Sequence, residues 1–123
     1  MKAEPKTVVV AEDEFLIRMM AVDRLTDAGF VVIEACHAQE ALIALRSRAE
    51  AIHLLFTDIQ MPGSMNGLEL AHFVRITWPH IALLIASGAD VPSAAILPVG
   101  SIFLTKPYDP DHVVAHAKTL TAA

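Results

Sequence analysis

Five polar side chains follow short apolar runs at four separate points in the sequence. Glu12 and Asp13 follow the run TVVVA, Asp58 follows LLFT, Ser87 follows ALLIA, and Lys106 lies two residues beyond IFL. Three of the five are carboxylates, one is a hydroxyl and one is an ammonium group. These groups could act together if the fold brings the ends of the four runs to one place.

Three carboxylates that converge repel each other, so such a cluster persists mainly where a hard cation or a lysine offsets its charge. A set of ligands made only of oxygen atoms suits Mg²⁺. A carboxylate can also attack phosphorus and form an acyl phosphate, provided that a metal ion and an ammonium group neutralise the transferring oxygens. Asp58, a divalent ion and Lys106 would supply those parts.

The apolar runs show no polar alternation, which is typical of strands buried on both faces of a parallel sheet. They predict strands at residues 7–11, 30–33, 53–57, 81–86 and 101–104. The stretches between them have helical spacing. They predict helices at residues 14–28, 38–48, 67–76 and 109–120, and Gly29 is placed to cap the first. A helix inside residues 92–97 is expected to be short or absent, because Pro92, Pro98 and Gly100 interrupt that segment.

Strands that alternate with helices favour a doubly wound α/β fold, a five-stranded parallel sheet with helices on both faces, because right-handed crossovers connect the strands. Ligands of such sheets bind beyond the carboxyl ends of the strands, where the strand order reverses. The five polar side chains stand at that edge. We expect a single domain over residues 1–123, with its core at about 7–120 and no output domain.

Composition excludes several classes of function. The formal net charge is −5 and the nine basic residues are not clustered, so direct binding to nucleic acid is not expected. The apolar runs are far shorter than the ~20 residues that span a bilayer, so no membrane segment is expected. A lone cysteine, Cys36, fits a reducing compartment and a cytoplasmic location.

The motifs VVVAEDE, LLFTDIQMPGSMNGLEL, LLIASG and FLTKPY occur in this order over residues 8–120. Together they resemble the receiver domain of two-component response regulators, whose sheet has a flavodoxin-like fold. The resemblance implies that Asp58 accepts a phosphoryl group in a Mg²⁺-dependent reaction. It further implies that Asp13, Asp58 and the backbone carbonyl of Gln60 bind the ion directly, whereas Glu12 supports it through water.

The same resemblance assigns roles to the later motifs. Ser87 and Lys106 would contact the phosphoryl oxygens, and the peptide bond before Pro107 would be cis. Phe103 matches an aromatic switch position whose side chain swings inward when Ser87 moves toward the phosphate. The loop MPGSMNG is one residue longer than the commonest form in the family, which, with the short fourth helix, resembles a subgroup of compact, stand-alone receivers.

The resemblance indicates the kind of partner, and the first predicted helix offers a surface on which it could dock. The donor would be a sensor histidine kinase or a histidine phosphotransfer protein, and the receiver would be a monomer or weak dimer that acts on an unknown downstream protein. Phe15, Met19 and Val22 form a stripe that could dock the donor's helices. A second stripe is expected to be buried, and it comprises Ile17, Met20, Ala21, Leu25 and Ala28.

Other interpretations remain open. An acidic residue after a strand can merely cap the next helix. A small phosphatase-type hydrolase is a second possibility, although Asp58-Ile59-Gln60 lacks a second aspartate and no phosphate-binding glycine loop is present. A receiver-like interaction module that is never phosphorylated is a third. We expect a switch and not a turnover enzyme. His112 and His116 could form a metal pair but are better explained as a solvated face.

Overall fold

The computed structural model describes residues 4–88 and 96–122. Five strands pair in parallel in the order β2-β1-β3-β4-β5, which confirms the predicted fold. The strands are β1 Thr7–Ala11, β2 Val31–Ala35, β3 Leu54–Asp58, β4 Ala82–Ser87 and β5 Ile102–Thr105. The helices are α1 Phe15–Asp27, α2 Ala38–Arg48, α3 Gly67–Thr77 and α4 Pro110–Thr121, with a short 3₁₀ turn at Ala49–Ala51.

Two apolar layers sandwich the sheet. The layer on one face joins α2 and α3 to side chains such as Val9, Leu55 and Leu83. The layer on the other face joins α1 and α4 to alternate side chains of the same strands, among them Val8 and Leu84. Burial on both faces explains why the central strands are apolar without alternation. Both helical layers leave the carboxyl ends of β1, β3 and β4 at one edge of the sheet.

Two strands extend further toward the site than the sequence predicts. The parallel ladder pairs Asp58 with Ala86 and Ser87 with Thr105, so both polar residues belong to the strands themselves. A hydropathy pattern ends each strand at its last apolar residue, whereas backbone pairing depends on the neighbouring strand. The two side chains are therefore held by the rigid sheet and not by the loops beyond it.

The N-terminal half of α1 is more exposed than predicted. Ala21 and Leu25 are fully buried, as expected, but Met20 is 54% exposed, so its predicted burial is wrong. Met20 lies about 100° around the helix from Ala21, because each helical residue turns by that angle. Val22, which the sequence analysis placed in an outward stripe, instead packs against the layer formed with α4.

The segment between β4 and β5 is described only from Ile96 onward. The helix predicted inside residues 92–97 falls mainly on 92–95, outside the described residues, and residues 96–100 form turns. The Nε2 atom of His72, on α3, lies 2.6 Å from the carbonyl oxygen of Ile96. Of the helices in 4–88 and 96–122, none has the length and apolar character needed to cross a bilayer.

Candidate functional site

Asp58 occupies the last position of β3 and is 5% exposed. The chain beyond it folds back closely, because the amide of Ile59 donates to the Ala86 carbonyl at 2.9 Å and the amide of Gly67 donates to the Ile59 carbonyl at 2.9 Å. A β-carbon at Gly67 would overlap the backbone carbonyl of Asp58. The start of α3 can therefore approach Asp58 this closely only because residue 67 is a glycine.

The structure brings together the three carboxylates that the sequence predicts to converge. One oxygen atom from each of Glu12, Asp13 and Asp58 lies within 4.8 Å of the others. Glu12 is 4% exposed, whereas Asp13 is exposed to solvent. The Glu12 Oε2 atom accepts a 3.1 Å hydrogen bond from the backbone amide of Glu14. This bond turns the Glu12 side chain inward, over the end of the sheet.

Lys106 connects the two buried carboxylates. Its Nζ atom lies 2.6 Å from Oε1 of Glu12 and 3.2 Å from Oδ2 of Asp58. The Lys106 backbone amide donates to the Ser87 carbonyl at 2.9 Å, and its peptide bond to Pro107 is cis, as the resemblance predicts. The side chain is only 14% exposed, so the ammonium group is directed into the site and not into solvent.

Burial raises the pKa values of both Glu12 and Asp58, and the bonds and charge of Lys106 offset only part of that effect. Burial alone would lower the pKa of Lys106. Its hydrogen bond to Glu12 and the charges of Asp58 and Glu12 outweigh burial, so the pKa of Lys106 is raised and the amine stays protonated. One ammonium group therefore compensates two carboxylates incompletely, and an additional cation would relieve the remaining repulsion.

The Asp58 carboxylate also has an unused ligand atom. Among the described residues, its Oδ1 atom is buried and has no hydrogen-bond partner. A buried carboxylate oxygen in this state carries a desolvation cost that a hard cation would remove. With Glu12 and Asp13 beside it, the donor set consists of oxygen atoms, so the residues fit Mg²⁺. The side chains that would bind the ion are those of Glu12, Asp13 and Asp58.

Ser87 and Gln60 form a contact that sequence reasoning missed. The Ser87 hydroxyl, buried at the end of β4, donates a 2.7 Å hydrogen bond to Oε1 of the Gln60 side chain. The resemblance assigned only the backbone carbonyl of Gln60, as a metal ligand, and that role stays a prediction. The spacing along the chain gives no signal for this contact, since 27 residues separate the two side chains.

Phe103 lies on β5, paired with Ile85 of β4, and its half-buried ring packs against the apolar layer of α2 and α3. Its predicted inward swing is a motion, so it stays a prediction. The docking role of the α1 stripe also stays a prediction, and its three residues differ in exposure. Phe15 is 61% exposed, Met19 is half-buried, and Val22 is half-buried and packs against the core layer of α1 and α4.

An apolar cleft of about 290 Å³ opens directly beside Lys106. It is lined by Ile17, Met20, Lys106, Pro107, Tyr108 and Pro110. Tyr108 packs edge-on against Phe56, with ring centres 5.6 Å apart. Burial, with the negative charges of Glu12 and Asp58, raises the pKa of Tyr108, so its hydroxyl stays protonated. The exposed start of α1 is thus continuous with the edge of the site.

A second group of possible metal ligands, Cys36, His37 and Glu40, lies at the start of α2. Two of its atoms already stabilise the helix terminus. The Nδ1 atom of His37 accepts the Glu40 amide at 3.2 Å, and Oε1 of Glu40 accepts the Cys36 amide at 2.6 Å. The group is therefore a helix cap. Among the residues that the structure describes, His112 and His116 belong to no group of three such ligands.

Comparisons with known proteins agree with the fold. The family model described as the response regulator receiver domain matches residues 8–118. The sensor kinase CckA of Brucella abortus is 34% identical over 105 residues, which cover 83% of this chain and 11% of that protein. The phosphate regulon regulator PhoB of Pseudomonas aeruginosa is 32% identical over 121 residues, which cover 94% of this chain and 51% of that protein.

The chain thus spans about half the length of PhoB and a much smaller part of CckA. Among solved structures, a response regulator receiver protein from Sinorhizobium medicae is similar with a TM-score of 0.89 and 29% identity, covering 98% of this chain and 97% of that one. The resemblance read from the four motifs is confirmed. This chain belongs to the response regulator receiver domain family.

Proposed function

We propose that Asp58 accepts a phosphoryl group from the phosphohistidine of a sensor kinase or phosphotransfer protein, and that the chain acts as a switch and not as a turnover enzyme. The observation that carries this proposal is the state of the Asp58 carboxylate. One of its oxygens contacts the Lys106 ammonium at 3.2 Å, and the other is buried without a hydrogen-bond partner among the described residues. Such a carboxylate is desolvated, and one of its oxygens is engaged by no other described group, which favours its use as a nucleophile.

In the transfer, a bond forms between an Asp58 oxygen and phosphorus while the bond from phosphorus to the donor's imidazole nitrogen breaks. Lys106 offsets charge on the phosphoryl oxygens, and the Ser87 hydroxyl donates a hydrogen bond to one of them. Asp13, Asp58 and the Gln60 backbone carbonyl, with Glu12 acting through water, would hold Mg²⁺. The bound ion would supply further positive charge for the phosphoryl oxygens. The Glu12 and Asp58 carboxylates and the Lys106 ammonium are buried side by side, so the reacting groups are prepositioned.

The donor is proposed to dock on the exposed start of α1. Phe15, Leu16 and Met20 are 61%, 74% and 54% exposed, and Met20 also lines the cleft beside Lys106. Apolar side chains clustered on a surface next to a reactive group indicate a protein-binding site. A helix of a kinase or phosphotransfer protein lying across this surface would bring its phosphohistidine close to Asp58. The free thiol of Cys36 supports a cytoplasmic location for the encounter.

The test is phosphorylation with acetyl phosphate and Mg²⁺, read by intact-protein mass spectrometry. We expect one added phosphoryl group that is removed by hydroxylamine, because acyl phosphates react with that nucleophile. Asp58→Asn should lose the label, whereas Asp23→Asn, a control on the exposed face of α1, should keep it. A hydroxylamine-sensitive label that persists in Asp58→Asn would contradict the assignment. Turnover of a broad panel of phosphate esters by the wild type would favour a hydrolase.

A further inference from the structure

Arg18 of α1 makes two directed contacts at the edge of the acidic cluster. One guanidinium nitrogen donates a 2.8 Å hydrogen bond to the backbone carbonyl of Glu12. The Nε atom lies 3.1 Å from Oε1 of Glu34 on β2, and the guanidinium stands 5.5 Å from the ring centre of Phe15. The Arg18 side chain is only 14% exposed, so these contacts fix it in one place.

The carbonyl that Arg18 binds belongs to the peptide unit between Glu12 and Asp13. The preceding peptide is fixed independently, because the Glu12 amide donates to the Ala35 carbonyl at 3.0 Å. The Glu12 side chain is also fixed, by the Glu14 amide and by Lys106. In the described chain, the Asp13 carboxylate itself makes no hydrogen bond or ion pair. Its direction therefore depends on the orientation of the peptide that Arg18 holds.

We propose that Arg18 is a positioning residue for the divalent ion: by fixing the Glu12–Asp13 peptide, it directs the Asp13 carboxylate toward Asp58. The inference rests on the proposed Mg²⁺ site and extends it to a side chain that does not touch the ion. Arginine suits this task because its planar fork donates in two fixed directions at once, here to Glu12 and to Glu34. An ion that binds to a preoriented carboxylate does not have to order that carboxylate on binding.

The matched control is on the same helix. Arg24 also pairs with a carboxylate, Asp111 of α4, at 2.6 Å, but both side chains of that pair are more than half exposed. Arg24 lies six residues further along α1, away from the edge where the carboxylates converge. Arg24→Met therefore removes a helix arginine and an ion pair without changing the Glu12–Asp13 peptide.

The experiment is a calorimetric titration of the whole chain with MgCl₂ at constant ionic strength. Arg18→Met is expected to weaken Mg²⁺ binding about tenfold, roughly the effect of losing one hydrogen bond to a charged donor. Arg24→Met should leave binding within twofold of the wild type. Arg18→Lys, which keeps a cationic donor but loses the planar fork, should recover part of the affinity. In ¹⁵N spectra, Arg18→Met should shift the amide resonance of Asp13, which shares the affected peptide, more than that of Ala35.

The outcomes separate this inference from the proposed function. If the wild type does not bind Mg²⁺, the proposed metal site is wrong. If the wild type binds it and a folded Arg18→Met binds within twofold, the metal site stands and the role of Arg18 is wrong. Equal losses in Arg18→Met and Arg24→Met would also overturn that role, because Arg24 does not contact the Glu12–Asp13 peptide. If Arg18→Met does not fold, Arg18→Lys provides the test. A Mg²⁺ affinity of Arg18→Lys at least threefold below that of the wild type would support the inference, and a smaller loss would contradict it.

Discussion

The Ser87 hydroxyl is 2.7 Å from the side-chain oxygen of Gln60, to which it donates a hydrogen bond. In the proposed reaction, the same hydroxyl has to donate to a phosphoryl oxygen on Asp58. The two acceptors compete for one proton, since a hydroxyl donates one hydrogen bond at a time. Gln60 therefore stabilises the unphosphorylated arrangement relative to the phosphorylated one.

We expect Gln60→Ala to bind beryllofluoride, a mimic of the phosphoryl group, up to about fivefold more tightly, because a neutral hydrogen bond contributes about 1 kcal/mol. Gln39→Ala is the control, since Gln39 makes a similar 2.8 Å bond to Ser64 in an exposed part of the chain. Fluorescence or NMR titration at fixed Mg²⁺ measures the affinity. Unchanged or weaker binding in Gln60→Ala would show that the two acceptors do not compete.

A second prediction concerns Lys106, whose ammonium bridges Glu12 and Asp58. Lys106→Met should lower the free energy of unfolding by about 3 kcal/mol at pH 7 in the absence of Mg²⁺, because it leaves two buried carboxylates without their cation. Burial already raises the pKa values of both carboxylates, and loss of the ammonium raises them further. Urea unfolding measures the difference from the wild type.

The sign of the pH dependence follows from those raised values. A carboxyl group whose pKa is higher in the folded than in the unfolded chain lowers the free energy of unfolding at a pH where it is ionised in both. This loss of stability disappears as pH falls through the folded pKa toward the pKa of the unfolded chain. The deficit of Lys106→Met should therefore shrink between pH 7 and pH 5. Saturating Mg²⁺ should also reduce it, because the variant lacks the competing ammonium charge, binds the ion more tightly and is stabilised more by it. A deficit that stays constant under both treatments would contradict this account of the cluster.

How much of this site the sequence predicts depends on the kind of contact. The positions of Glu12, Asp13, Asp58 and Lys106 at one edge follow from apolar runs and the geometry of parallel sheets. The bond from Ser87 to Gln60 does not, because it depends on how one side chain beyond β3 bends toward β4. The outward face of α1 was misjudged for a related reason. Apolar spacing predicts which side of a helix is buried. It does not predict how wide the buried face is, and so whether Met20 or Val22 belongs to it.

A third prediction uses His53, at the opposite edge of the sheet. Its Nδ1 atom accepts a 3.0 Å hydrogen bond from the amide of Thr7, so the ring has to be neutral at that nitrogen. Burial lowers the pKa of His53, and the charges of Lys6 and His80 lower it further. In the unfolded chain a histidine titrates near pH 6.5. Below that value the unfolded chain binds a proton that the folded chain does not.

The free energy of unfolding should consequently fall as pH decreases below about 6.5, by at most about 1.4 kcal/mol per pH unit from this residue. His53→Asn should reduce that dependence, since an amide oxygen can accept the Thr7 bond without titrating. His112→Asn, on the exposed face of α4, should not. Urea unfolding at pH 7.5 and pH 5.5 distinguishes these cases. Equal slopes in the wild type and His53→Asn would show that other groups cause the acid sensitivity.

The last prediction separates donor docking from chemistry at Asp58. Met20 is 54% exposed and lines the cleft beside Lys106, yet it contributes no polar group to the site. Met20→Gln should therefore slow phosphotransfer from a cognate histidine kinase about tenfold, because it places a polar amide at an apolar contact, and disrupting a hot-spot contact near the centre of an interface costs more than about 1 kcal/mol. Labelling by acetyl phosphate, which needs no docking surface, should stay within twofold of wild type.

Ile43→Gln is the control for this prediction, because Ile43 is 69% exposed but lies on α2, on the other face of the sheet. It should accept a phosphoryl group from the kinase at the wild-type rate.

Val22→Ala tests the docking stripe that the sequence predicts, Phe15, Met19 and Val22. Since Val22 packs against the core layer of α1 and α4, the substitution should lower thermal stability and leave transfer by the folded protein unchanged. If Val22→Ala impairs kinase transfer more than Met20→Gln while both proteins remain folded, the donor instead approaches the face of α1 that carries Val22. The cleft beside Lys106 would then not be its binding site.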